Sequence, residues 1–283
     1  MTDLTFAQRY GEWALICGGS TGIGAAFAAE AASRGVNLLL TARRAEVLAA
    51  TAKDLRDRFP VEVRTLAADM GRPDVREVIG DFAAGLEVGL FIYNAAAEPQ
   101  SLFLDTPVEE LAANIAVNVT APTMLTWDLA KPMVARGRGG VVLVGSMASL
   151  LGMKLFIHYG AAKSYELILG EGLWDELRDH GVDAFTYVVG STGTPSWYNN
   201  PRRLNADLPM FDEQQMAEQA EGAPRRPEDV GAGLFRVLDR DGVEIGPRHY
   251  SHPDDEATAI YQGGASRTEL VSEAGKATSS IWY

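Results

Sequence analysis

Residues 13–34 restrict what this chain can fold into more than any other stretch. Trp13 to Cys17 is a short apolar run, Gly18-Gly19-Ser20-Thr21-Gly22-Ile23-Gly24 follows it, and an alanine-rich segment from Ala25 to Arg34 continues until Gly35. Apolar strand, glycine loop and helix, in that order, is the context in which glycine spacing carries meaning. Glycines let the main chain turn tightly and approach a phosphate closely. The start of the helix then presents free N–H groups and the positive end of its dipole to a pyrophosphate. Gly18, Ser20, Thr21, Gly22, Ile23 and Gly24 are therefore candidate dinucleotide contacts, the alternative being an ordinary strand-to-helix turn.

The pattern then repeats. Val36–Thr41 reads as a strand, Ala45–Arg58 as a helix, Val61–Leu66 as a strand, Pro73–Ala84 as a helix and Leu86–Tyr93 as a strand. Alternation of this kind implies a parallel sheet with right-handed crossovers and helices on both faces. After the second strand, where an acidic residue would meet a ribose 2′-hydroxyl, the chain has Ala42-Arg43-Arg44. Arginine there suits a 2′-phosphate and favours NADP over NAD; the alternative is two solvated arginines opening a helix. Asp69, after the third strand, could bond an adenine amino group or cap the following segment. The small residues of Asn94-Ala95-Ala96-Ala97 leave room for a ligand at the carboxyl end of the fourth strand.

Thr106 and Pro107 read as the N-cap and first position of a long helix reaching about Val134. Pro122 lies inside it. A proline cannot donate to the carbonyl four residues back, so the main-chain carbonyl of Asn118 should be freed and the helix kinked. Gly139-Gly140 leads into the strand Val141–Val144, with Ser146 after it, and a helix runs from Tyr159 to about Asp179. Tyr159 and Lys163 are four apart, hence on one helical face. A phenol beside an ammonium is a proton donor of lowered pKa, the core of a carbonyl/alcohol oxidoreductase. Val182–Val189 is a sixth strand, Pro227–Asp239 a helix, and Val243–Ile245 a short last strand.

Composition narrows the partners. The net charge of −13 opposes nucleic acid, whose phosphates require a basic footprint. One cysteine, Cys17, leaves no disulfide framework and no thiolate metal cluster, and no metal is expected. The N-terminal residues lack a signal-peptide pattern and no apolar run approaches the roughly 20 residues of a membrane span. A soluble, cytoplasmic protein with no membrane association is the expectation.

Six motif matches together resemble the short-chain dehydrogenase/reductase family over roughly residues 10–250. Its Thr-Gly-x-x-x-Gly-Ile-Gly appears as Cys17 to Gly24, with Cys17 in place of Thr, and its Asn-Asn-Ala-Gly as Tyr93-Asn94-Ala95-Ala96. Its serine stands thirteen residues before its tyrosine, as Ser146 does before Tyr159; its Tyr-x-x-x-Lys is Tyr159 to Lys163. Its asparagine matches Asn118, and its Pro-Gly-x-x-x-Thr appears as Val189-Gly190 to Thr194.

The resemblance implies a doubly wound α/β Rossmann fold, with a mostly parallel sheet of about seven strands and helices on both faces. It implies a catalytic set of Asn118, Ser146, Tyr159 and Lys163 and a bound NADP (alternatively NAD). The nicotinamide end of the cofactor would meet Asn94, Ala95, Tyr159, Lys163, Gly190 and Thr194. In the family's chemistry Tyr159 moves the proton, Lys163 lowers its pKa and binds ribose hydroxyls, Ser146 holds the substrate oxygen, and Asn118 fixes a relay water. The substrate is a ketone or secondary alcohol. Leu150, Leu151, Met153, Leu155, Phe156, Trp197, Met210 and Phe211 suggest a bulky apolar one, steroid-like, aromatic or acyl. His158 and Ser149 are read as structural, His158 with the alternative of lining the substrate entrance. The catalytic domain is expected to span 1–250, with a substrate lid at about 195–223. Residues 251–283 form a tail available to an interface, and family members assemble as homodimers or homotetramers. The competing function is a non-catalytic dinucleotide-binding or redox-sensing protein on the same fold.

Overall fold

The computed structural model describes residues 4–98, 100–195, 224–240 and 245–252. Seven parallel strands form one sheet: β1 (Trp13–Cys17), β2 (Asn37–Ala42), β3 (Val63–Ala67), β4 (Val88–Tyr93), β5 (Gly139–Ser146), β6 (Val182–Val189) and β7 (Arg248–Tyr250). Their order across the sheet is β3-β2-β1-β4-β5-β6-β7. The order reverses between β1 and β4, and a doubly wound sheet binds its ligand where the strand order reverses.

Burial follows the two-residue period of a strand. Ala14 and Ile16 of β1 face one core; Trp13, Leu15 and Cys17 face the other. The first core is closed by α2 (Gly22–Ser33), α3 (Ala45–Arg58) and α8 (Pro227–Asp239), through Phe27, Leu48, Leu55, Leu234 and Phe235. The second is closed by α4 (Val75–Ala83), α6 (Ala121–Arg136) and α7 (Ile157–Leu177), through Ile79, Leu125, Met133 and Leu177. A short helix, α1 (Phe6–Tyr10), carries a capping box from Thr5 and Gln8. Its fully buried Tyr10 donates to Asp183 Oδ2 at 2.8 Å, tying the N-terminus to β6.

Three expectations are corrected. The last strand is Arg248–Tyr250 rather than Val243–Ile245: Ile245 precedes it, and residues 243 and 244 lie outside the described residues. Pro107, not Thr106, holds the N-cap position of α5 (Val108–Ile115), because the Thr106 hydroxyl is turned back onto the Leu102 carbonyl at 2.9 Å. The long helix is divided. Between α5 and α6, residues Ala116–Thr120 form a turn of π-helix, with the Ala121 N–H donating to the Ala116 carbonyl five residues back. The kink expected from Pro122 is thus realised as a π-bulge, a recognised cause of helix distortion at functional sites.

The register change brings a second carbonyl opposite Pro122. Five residues before Pro122 stands Val117, and its carbonyl accepts a hydrogen bond from the fully buried Tyr93 hydroxyl. Among the described residues, no helix is long and apolar enough to cross a membrane. Residue 251, the expected start of a tail, is buried, and its N–H donates to the Val188 carbonyl at 2.9 Å.

Candidate active site

The loops after β1, β4, β5 and β6 leave neighbouring strands at their carboxyl ends, so they lie side by side along one crest. In the first, Gly18 and Gly22 adopt φ of +83° and +55°, a region L side chains rarely occupy. A Cβ on Gly18 would come within 2.9 Å of the Ala95 nitrogen, and one on Gly22 within 2.9 Å of Thr194 Cγ2. Glycine here is therefore what lets the loops carrying Ala95 and Thr194 close onto the first loop. The N–H groups of Gly18 and Gly19 donate to the Thr41 carbonyl at 2.8 and 3.0 Å. Thr51 Oγ1 donates to the Ser20 carbonyl at 2.7 Å, anchoring a loop whose Ser20 is itself buried. Ile23 packs against the core beside Phe27.

Thr21 takes the N-cap position of α2 without a side-chain bond, so no side chain caps the first turn of that helix. A rigid main-chain cradle at an uncapped helix start is the arrangement that receives a pyrophosphate, and the residues present fit a dinucleotide. Asn94 Nδ2 donates to the Gly18 carbonyl at 3.0 Å, joining the β1 and β4 loops. Gly190 donates to Ser251 Oγ at 3.2 Å, and the Thr194 N–H to the Thr192 carbonyl at 2.9 Å, which folds the β6 loop.

A cavity of about 350 Å³ opens beside the ends of β2 and β3, lined by Arg43, Ala67, Ala68, Asp69, Arg72, Asp74, Val75 and Val78. The two candidate arginines separate here. Arg43 lines the cavity, while Arg44 stands at the N-cap position of α3. Asp69 does both things considered for it: it lines the cavity, and its Oδ1 accepts from the Gly71 N–H at 2.9 Å.

Asn118 is fully buried and both ends of its amide are engaged. Nδ2 donates to the Ala97 carbonyl at 2.6 Å and Oδ1 accepts from the Ala97 N–H at 3.0 Å. Asn114 Nδ2 donates to the same carbonyl at 2.9 Å. The side chain therefore clamps the loop after β4, and any relay water would rest on main chain.

Ser146 ends β5, and its Oγ accepts from the Ala148 N–H at 3.2 Å. It is close enough to the Tyr159 hydroxyl to favour the charged phenolate, but the stronger influences oppose it. Burial first, then the Glu98 carboxylate, and more weakly Glu166, push Tyr159 well above the usual phenol range. Glu98 itself lies on the loop after β4, accepts from Gln100 Nε2 at 2.9 Å, and has its own carboxyl pushed up by burial.

Lys163 departs from expectation. Its Nζ lies 5.9 Å from the centre of the Tyr159 ring and donates to the Val144 carbonyl at 2.8 Å and to Glu166 Oε1 and Oε2 at 3.0 and 2.8 Å. The ammonium expected to lower the tyrosine pKa is held by a carboxylate, and the phenol is kept protonated. Sequence reading passed over Glu98, Glu166 and Tyr93. Glu166 was within reach of it, because a carboxylate three residues after a lysine shares its helical face.

Of the remaining candidates, His158 stacks on Phe103 with ring centres 5.0 Å apart, and burial lowers its pKa. Ser149 is buried, and its carbonyl accepts from Ser164 Oγ at 2.6 Å. In the apolar loop, Leu155 is buried with φ +73°, while Leu150, Leu151, Met153 and Phe156 stay half-buried. Leu155 therefore belongs to the core; Trp197, Met210 and Phe211 lie outside the described residues.

Residues 12–204 match the family described as short chain dehydrogenase. The chain is 32% identical over 197 residues to the 7beta-hydroxysteroid dehydrogenase of Collinsella aerofaciens, spanning 70% of this chain and 75% of that protein. The fold superposes on a solved 7beta-hydroxysteroid dehydrogenase with a TM-score of 0.84 at 26% identity, covering 96% of this chain and all of the other. It superposes on a short-chain dehydrogenase from Sphingobium yanoikuyae in complex with NADPH with a TM-score of 0.74 at 26% identity, covering 90% and 98%. With the sheet order in agreement, the chain belongs to the short-chain dehydrogenase family of NAD(P)-dependent oxidoreductases that act on hydroxyl and keto groups.

Proposed function

We propose that the protein is an NADP-dependent reductase of a bulky, apolar ketone, steroid-like in its dimensions, with Tyr159 as the proton donor. The observation that carries this reading is the environment of Tyr159. Its hydroxyl lies beside Ser146 at the end of β5, and burial with two nearby carboxylates keeps it protonated. A protonated phenol is a general acid, which is the form that ketone reduction consumes.

The dinucleotide, when bound, supplies the hydride. The protein supplies the rest. Ser146 Oγ holds the substrate oxygen, and Tyr159 delivers a proton to it. The Gly18–Gly24 cradle and the start of α2 hold the pyrophosphate. Arg43 and the cavity around Asp69 take the adenosine end, and a guanidinium there matches a 2′-phosphate. Asn94, Ala95, Gly190 and Thr194 bound the nicotinamide end. Asn118 holds the loop from Asn94 to Glu98 in place through Ala97. The half-buried Leu150, Leu151, Met153 and Phe156 give the substrate side an apolar wall, and the steroid dehydrogenase relative favours a steroid over an acyl chain.

A panel of steroid, aromatic and acyl ketones, assayed with NADPH and NADH beside Tyr159→Phe, tests the proposal. Reduction of bulky ketones with NADPH is expected, falling about 100-fold or more in the variant, as loss of a general acid implies. Undiminished turnover by Tyr159→Phe would overturn the mechanism, and a strong preference for NADH would overturn the role of Arg43.

A further inference from the structure

Lys163 and Glu166 form an ion pair inside the protein, with side chains 2% and 0% exposed. An ammonium has three N–H donors. All three are committed here, to the Val144 carbonyl and to the two oxygens of Glu166. In this arrangement none is left for the ribose hydroxyls that the family resemblance assigns to Lys163. Bringing Lys163 forward would leave an unpaired carboxylate in the core, and a buried charge without its partner is strongly disfavoured.

Among the described residues, the surroundings offer Glu166 no substitute cation. β5 contributes the Val144 carbonyl, and β6 contributes Thr186, whose hydroxyl donates to the Glu166 main-chain carbonyl at 3.0 Å. β4 contributes the Tyr93 phenol, which is bonded to Val117, and the loop after it contributes the Glu98 carboxylate. Tyr159 faces the pair from the same helix. The charge acting on Glu166 is that of Lys163. We propose that Glu166 is a positioning residue whose carboxylate holds the Lys163 ammonium in the core, and that Lys163 becomes available to a dinucleotide only as Glu166 takes up a proton. This rests on the dinucleotide reading of the site and adds a proton to its binding equilibrium.

The side chain is suited to that exchange. Burial, set against the pull of Lys163, pushes the Glu166 carboxyl up to about 7, so a proton is gained or lost near neutrality. If binding requires the protonated form, the apparent Kd rises with pH above that value, by about tenfold at pH 8 relative to pH 6. Glu98, on which Lys163 also acts, is retained in both wild type and a Glu166 variant, so the difference between them reports what the Glu166 carboxylate adds.

The test is NADPH binding, with NADH in parallel, followed by nicotinamide fluorescence for wild type and Glu166→Gln between pH 6 and pH 8. The ratio of wild-type to variant Kd is expected to be near one at pH 6 and about ten at pH 8. A ratio that does not change with pH overturns the proposal, even if the variant melts at a lower temperature, since a merely structural role would move only the melting point. Calorimetric titration of wild type at pH 8, in buffers of different ionisation enthalpy, makes the same measurement without a variant. Uptake approaching one proton per NADPH supports the exchange, and uptake near zero overturns it. Failure of wild type to bind either dinucleotide at any pH would overturn the reading of the site itself, which is a different result.

Discussion

Cys17 and Tyr93 stand where the family motifs carry other residues, and both are buried at strand ends beside the crest. Burial pushes the Cys17 thiol up to about 12, which leaves it a small apolar residue rather than a nucleophile. His249, near the far edge of the sheet, shows how burial ties stability to pH. Its Nε2 accepts from the Gly246 N–H at 3.0 Å, its ring packs edge-on against Phe185, and burial lowers its pKa to about 4. An unfolded histidine titrates near 6.5. The unfolded chain therefore binds more protons between these values, so this contribution is complete above about pH 6.5 and is lost as pH falls toward 4. His249→Gln keeps an acceptor but does not titrate. Its melting temperature should fall less between pH 7 and pH 5 than that of wild type, and equal falls would count against the assignment. The carbon-to-charge logic of Tyr159, Lys163 and Ser146 was readable as spacing along the chain. Of the carboxylates that reverse the expected effect on Tyr159, Glu166 was within reach of the same spacing argument, and Glu98 was not, because it reaches the site from a different strand's loop.

Among the elements, the π-bulge at Ala116–Thr120 carries the most consequence for the site. Pro122 forecast an interruption, since its missing N–H must leave a carbonyl unpaired in any helical register. In the five-residue register Val117 stands opposite Pro122, and its carbonyl takes a donor from outside the helix. Tyr93, projecting from β4, supplies the missing donor. The bulge lies beside Asn118, whose amide holds Ala97, so one strand, one helix and one loop are locked together. Tyr93→Phe removes the donor while keeping the ring. The buried carbonyl is then unpaired, and chemical denaturation should show a loss of about 1–3 kcal/mol. A change within error would mean that another group satisfies Val117. The loop before α7 is the second informative element. Leu155 holds φ at +73° and is buried, a conformation that costs a non-glycine residue about 1–2 kcal/mol. No local rule places a leucine there; the packing of its side chain does.

At the scale of the molecule, exposed apolar side chains lie on α5, α6 and α7. Ile115, Met124, Tyr165 and Ile168 are all exposed, Ile168 by 63%. The Thr123 and Tyr165 hydroxyls bond across α6 and α7 at 3.0 Å, which makes the two helices one continuous face. Contiguous apolar surface of this kind marks an interaction site. The homodimer or homotetramer that the family resemblance implies would be formed through it, on the same helices that hold Asn118 and Tyr159. Ile168→Arg places a charge on that face. Light scattering should show the assembly of the wild type dissociating toward a monomer with its circular dichroism unchanged. A wild type that is already monomeric, or an unaltered mass in the variant, would remove this surface from the interface.

The sequence alone determined the alternation of strands and helices, the glycine cradle and the Ser146, Tyr159 and Lys163 spacing. Each rests on periodicity or on neighbours a few residues apart, where the covalent chain itself fixes which groups can meet. Tertiary structure decided the rest. It separated Arg43 from Arg44, turned the Asn118 amide onto Ala97, bonded the Tyr93 hydroxyl to the Val117 carbonyl and brought Glu98 toward Tyr159. It also set the Lys163 ammonium on Glu166 in the core rather than at the cofactor cleft. These outcomes depend on which buried polar group finds which partner, and that competition is settled only when distant segments are packed together and water is excluded.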